Sequence, residues 1–137
     1  MGLYLTVFDG DDELDGVEVG TYSDYDVFIQ AVIENVENGS KGSVCPILTL
    51  HHDSDGEWSS QESQGLRSEL LKVRDVLVSM PPISHESPWV SQTMGECDLK
   101  PSNAYESFID VNGEFLIDRL IDLTDLSIGK GLPILFQ

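Results

Sequence analysis

The chain has 137 residues, 40% of them hydrophobic, and carries 25 Asp and Glu against 7 Lys and Arg, a formal net charge of −18. That length and apolar content suit one folded domain, expected to span 1–137, with a core that needs no disulfide or metal staple. The acidity excludes direct binding to nucleic acid or an anionic membrane surface and favours basic protein partners.

The first predicted element is a strand. Leu3, Leu5 and Val7 alternate with Tyr4, Thr6 and Phe8, giving both faces substance, as in a buried position. An acidic loop over Asp9 to Gly16 follows. Val17 to Tyr22 then alternates as a second strand that closes a hairpin or lies at an edge. Ser23 to Asp26 has the form of a helix start, with acids in the first turn that complement the helix dipole. The helix runs through Val27, Phe28, Ala31, Val32 and Val36, and Asn38-Gly39 stops it. Val44 to Leu50 reads as a strand, which Pro46 restricts to an edge or a strand start.

His51 to Glu57 is polar and turn-like. Ser59 to Glu62 is a capping-box pattern, and beyond it Leu66, Leu70, Val73, Leu77 and Met80 form a core stripe that Pro81-Pro82 terminates. Residues 83 to 104, with Pro88, Gly95 and Pro101, read mostly as loop. Tyr105 to Val111 is expected as a strand, joined by an Asn112-Gly113 turn to a closing helix. In that helix Leu116, Ile117, Leu120, Ile121 and Leu123 share one face, and Asp118, Asp122 and Asp125 lie opposite. Gly129-Lys130-Gly131 ends it, and Leu132 to Phe136 forms an apolar terminal strand that must be buried with it. The expected fold is therefore α+β: a single domain with a mostly antiparallel sheet and about three helices, centred near residues 30, 70 and 120.

No catalytic motif accompanies this pattern. There is no P-loop, no G-x-G-x-x-G and no G-x-S-x-G. Asp11, Glu13, Asp15 and Gly16 match the front half of an EF-hand loop, but Tyr22 stands where its bidentate Glu belongs. His51, His52 and Asp53, with Asp55, Glu57 and His85, could supply metal ligands, yet adjacent histidines at a strand end point to opposite faces. One should pack and the other be exposed. Cys45 and Cys97 lack a nucleophile signature, and Cys45 reads as a small buried hydrophobe. No apolar run approaches the roughly 20 residues of a membrane span, and no basic, apolar leader opens the sequence. The expectation is a cytoplasmic protein with free thiols, no cofactor, no metal and no enzymatic activity.

Three stretches carry a resemblance. They are Gly2 to Phe8 with the Asp-rich loop and Asp15 to Gly20, then Tyr22 to Tyr25, and finally Gly113, Leu116, Leu120 and Leu123 with Gly131 to Gln137. In these the chain resembles the immunity protein 70 family of bacterial polymorphic toxin systems. The resemblance implies a small antidote that binds a cognate toxin and blocks it, and it carries no contact residues with it. Charge supplies the candidates for a surface facing a basic toxin: Asp9, Asp11, Asp12, Glu13 and Asp15, then Asp118, Asp122 and Asp125. Two other readings stand beside it. One is an acidic regulatory or structural interaction module; the other is a metal-dependent enzyme using His51, His52 and Asp53.

Overall fold

The computed structural model describes residues 2–52, 56–84 and 87–137. Four strands, β1 (Gly2–Asp9), β2 (Asp12–Thr21), β3 (Glu57–Trp58) and β4 (Ile134–Phe136), form one sheet in the order β2-β1-β4-β3. Every pairing is antiparallel. Five helices accompany it among the described residues: α1 (Tyr22–Asn35), α2 (Pro46–Thr49), α3 (Ser60–Leu77), α4 (Pro88–Glu96) and α5 (Leu116–Lys130).

β1 is central, as its alternation requires. Leu3, Leu5 and Val7 are buried, and Leu5 lies opposite both Val17 of β2 and Phe136 of β4. That face meets α1 and α5, with Tyr25 edge-on to Phe136. The other face carries Tyr4, Thr6, Phe8 and Leu135. The hairpin turn contains only Gly10 and Asp11, because Asp9 already pairs with Asp12. Gly10 takes the positive φ of 62° that such a tight turn uses. The acidic loop expected over Asp9 to Gly16 is thus corrected to a two-residue turn, with Asp12 to Gly16 inside β2. Acids on an exposed strand lack apolar alternation, so the pattern concealed the strand.

The three long helices fall where the periodicity places them. α3 opens on the expected capping box, with reciprocal Ser59–Glu62 hydrogen bonds of 3.0 Å. Leu66, Leu70, Val73 and Leu77 are at most 1% exposed, while Met80 lies beyond the helix and is partly buried. α3 packs on α5, where the Ser63 and Ser127 hydroxyls pair at 2.8 Å inside the contact. α1 opens earlier than its Ser23 signal implied. Thr21 is the N-cap and Asp24 completes the box, its Oδ2 accepting the Thr21 amide at 2.8 Å. Gly131, in the left-handed conformation, ends α5 and releases the chain into β4.

Two further expectations are overturned and one is refined. Val44 to Leu50 is no strand: Pro46 begins the short α2, where its missing N–H costs nothing. Two carboxylates, Glu69 from α3 and Glu37 from just after α1, order this segment. Glu69 accepts the Ile47 and Leu48 amides at 3.2 and 2.9 Å. Glu37, 2% exposed, accepts those of Gly42, Val44 and Cys45. Burial alone would raise the Glu37 pKa, but these amides hold it below the ordinary carboxylate value. Residues 83–104 are not all loop, since Pro88 starts α4 in the same way. Tyr105 to Val111 holds a 3-10 turn at Tyr105–Ser107 and one bridge, Ile109 to Phe115, in place of a strand. The Asn112-Gly113 turn is present, with Gly113 at φ 83° donating to the Asp110 carbonyl at 3.0 Å. Cys45 and Cys97 are both free, the first buried and the second exposed.

The α3 stripe is the firmest test of this packing. Leu70→Ala should lower stability by roughly 2–5 kcal/mol in urea unfolding. A loss below about 0.5 kcal/mol would show that Leu70 is not held in a close-packed core.

Candidate partner-binding surface

In so acidic a chain, the informative question is which carboxylates the protein neutralises for itself. Arg119 of α5 is the main device. Apolar neighbours Leu116, Ile117 and Leu120 turn α5 onto the core and carry the guanidinium to the seam with β2, where its side chain is only 18% exposed. There Nη2 donates to Asp15 Oδ1 at 2.8 Å and to the Gly16 carbonyl at 3.1 Å, and Nη1 donates to Asp122 at 3.1 Å. Nε lies 3.1 Å from Glu114 and 3.9 Å from Asp110, outside hydrogen-bonding alignment, so these two contacts are electrostatic. The hydrogen bond to Asp15, outweighing the opposing effect of burial, raises the guanidinium pKa still further and keeps it charged. Asp110 is 1% exposed; its Oδ1 accepts the Asn112 and Glu114 amides at 2.9 and 3.0 Å, which orders the turn before α5.

The remaining α5 acids are also paired. Asp125 meets Arg67 at 2.6 Å, and Asp118 meets Arg74 at 3.4 Å while accepting the Tyr105 hydroxyl. Asp118, Asp122 and Asp125 therefore do not form a free acidic face; each stands beside an arginine of this chain. The hairpin tip differs. Asp9, Asp11 and Asp12 are exposed and enter no ion pair among the described residues, and Leu14 beside them is 38% exposed. Glu13 accepts the Thr6 hydroxyl at 3.0 Å and holds the Tyr4 hydroxyl, which pushes Tyr4 up to about 12. The structure thus divides the eight sequence candidates. Asp9, Asp11, Asp12 and Glu13 are presented at the tip, Asp15 anchors the hairpin, and each of the α5 acids stands beside an arginine, which Asp122 shares with Asp15, Asp110 and Glu114.

The calcium alignment does not converge, because Asp15 turns to Arg119 while Glu13 turns to Thr6 and Tyr4. The histidines separate as expected. His51 is packed, its ring 4.7 Å from Trp58 and 4.6 Å from Phe136 with Nε2 2.8 Å from the Glu57 carbonyl, and His52 is exposed. Asp53, Asp55 and His85 lie outside the described residues. Among the described residues no three His, Cys, Asp or Glu side chains are grouped to hold a metal ion, and no helix is long and apolar enough to cross a membrane.

One concave feature adjoins the hairpin and was not legible beforehand. A cleft of about 440 Å³ lies between β1, the end of β2, α4 and Val111, with Glu18, Trp89 and Glu96 in its wall. Its one signal in the sequence was Ser87-Pro88-Trp89, a helix start carrying an aromatic residue in a segment otherwise read as loop.

The chain belongs to the immunity protein 70 family: the family model, Immunity protein 70, matches residues 3–136. Membership implies an immunity protein with a toxin as its partner. Neither a curated protein nor a solved structure matches the chain.

Removing Arg119 should expose the cost of this arrangement. Arg119→Met leaves Asp110 and Asp15 without their counter-charge and should cost about 3 kcal/mol in urea unfolding, with part regained in Arg119→Met/Asp15→Asn. A loss under about 1 kcal/mol would mean that the seam does not depend on this pairing.

Proposed function

We propose that this protein neutralises a cognate toxin of a bacterial polymorphic toxin system by binding it in the cytoplasm, without catalysis. The hairpin tip, with Asp9, Asp11, Asp12 and Glu13, meets a basic surface on that toxin. The observation that carries the reading is the uneven pairing of charge: the α5 acids stand beside arginines, and the tip acids meet none among the described residues. Like charges crowded on a short turn repel one another, and a cationic partner relieves that repulsion. Leu14 offers an apolar contact amid the carboxylates, where the partner can exclude water. Asp15 belongs to the scaffold, because it ties the hairpin to α5 through Arg119. On this reading Asp118, Asp122 and Asp125, each beside an arginine, are secondary to the tip as contact residues.

Long-range attraction acts chiefly on the association rate and fades as salt shortens the Debye length below about 10 Å. The product of the gene adjacent to this one is the partner to test. Asp9→Asn/Asp11→Asn/Asp12→Asn, which leaves Asp15 in place, should slow association roughly tenfold at low salt and flatten its salt dependence. An association rate equal to wild type across the salt series would remove the tip as the contact surface. Absence of any inhibition or binding by the wild-type chain would remove the toxin reading itself.

A further inference from the structure

The cleft beside the hairpin has an unusual lining for a protein surface. Among the described residues its charged wall residues are Glu18 and Glu96, and no Lys or Arg lines it. Its aromatic residues are Tyr4 and Trp89. Trp89 is half-buried, and its indole N–H donates to Asp24 Oδ2 at 2.8 Å. That bond fixes the ring and uses its only donor, so the indole has only its ring surface to offer a ligand. The bonded carboxylate also adds electron density to the ring, which strengthens its attraction for a cation.

The local sequence is shaped to seat this ring. Gly20 takes φ +115°, and a Cβ there would come within 2.6 Å of Trp89 Cζ2 and 2.8 Å of Asp24 Oδ2. Asp24 is itself held by the α1 capping box, so the indole is tied to a rigid helix start. Glu18 is exposed at the cleft on β2, its own carbonyl accepting the Val111 amide at 3.0 Å. Glu96 is exposed at the end of α4, bonded by Gln92 at 2.9 Å.

Carboxylates that enter no ion pair among the described residues, beside a fixed aromatic ring in an otherwise largely apolar hollow, suit a cation on an apolar stem. A guanidinium fits better than an ammonium, because its plane stacks on the indole while its edge donates to a carboxylate. We propose that this cleft receives an arginine side chain of the partner protein, with the guanidinium against Trp89 and paired with Glu18 or Glu96. The identity of that partner as a toxin rests on the function proposed above; the arginine specificity does not.

The test uses the full chain and a short peptide, acetyl-Gly-Arg-Gly-amide, followed by amide and indole NMR. The Trp89 indole resonance, assigned by its loss in Trp89→Leu, and the Glu18 to Gly20 amides should shift with millimolar affinity. The citrulline peptide, which lacks the charge, should bind at least about tenfold more weakly, and the lysine peptide more weakly than arginine. Glu18→Gln/Glu96→Gln should weaken arginine binding roughly two- to fivefold or more with the rest of the spectrum unchanged. No shift in the cleft up to about 20 mM peptide, equal binding of citrulline, or tighter binding of lysine would each overturn the proposal. If Trp89→Leu fails to fold, the glutamate pair carries the test alone. Capture of the arginine peptide by a chain that inhibits no neighbouring gene product would keep the cleft and remove the toxin reading. Inhibition at wild-type affinity by Trp89→Leu and by the glutamine pair would remove the cleft and keep that reading.

Discussion

The interaction on which the architecture turns is the convergence of carboxylates on Arg119. With 25 acids and 7 basic residues, most carboxylates of this chain must remain without an internal partner. The fold commits all three of its arginines to α5 and its neighbours: Arg67 to Asp125, Arg74 to Asp118, and Arg119 to Asp15, Asp122 and Glu114. The exposed pairs at Arg67 and Arg74 contribute little stability individually. Arg119 is different, because it and Asp110 are shielded from water, and an unpaired charge there is costly. One side chain thereby joins the hairpin, the turn before α5 and α5 itself.

That placement has a functional consequence. Where positive charge is used to hold elements together, the surrounding acids become part of the scaffold. Where none is supplied, as at Asp9, Asp11 and Asp12, acidity remains available to a partner. The hairpin that bears them is stiffened from behind by the Asp15–Arg119 bond and from the front by Thr6 and Tyr4 at Glu13. The proposed contact surface, held rigid in this way, would lose little entropy on binding. The cleft with Trp89 lies farther along the same hairpin, so one strand pair carries both features.

Elements whose information is local were legible in the sequence. The Leu66-to-Leu77 stripe, the Ser59–Glu62 box, the apolar β1 and the final helix followed by β4 all follow from periodicity and capping. Elements held by side chains outside them were not. Glu69 orders α2 from another helix, and Glu37, just beyond α1, folds back on amides five to eight residues on, a spacing that matches no helix or strand period. Pro46 and Pro88 each announce a helix start when the following turn is helical, yet the same residue also suits a strand edge or a loop. For the candidate surface, charge density pointed to the hairpin but could not separate Asp15, which pairs with Arg119, from Asp12. The distinguishing fact is the position of Arg119, more than a hundred residues away in the chain.

The most direct test of this account is amide hydrogen exchange on the protein bound to the product of its neighbouring gene, compared with the free protein. Amides of Gly10, Asp11 and Asp12 should gain protection in the complex, while the exposed side of α5 around Asp122 and Asp125 should exchange as it does in the free chain. Protection centred on α5 with an unprotected hairpin tip would contradict it.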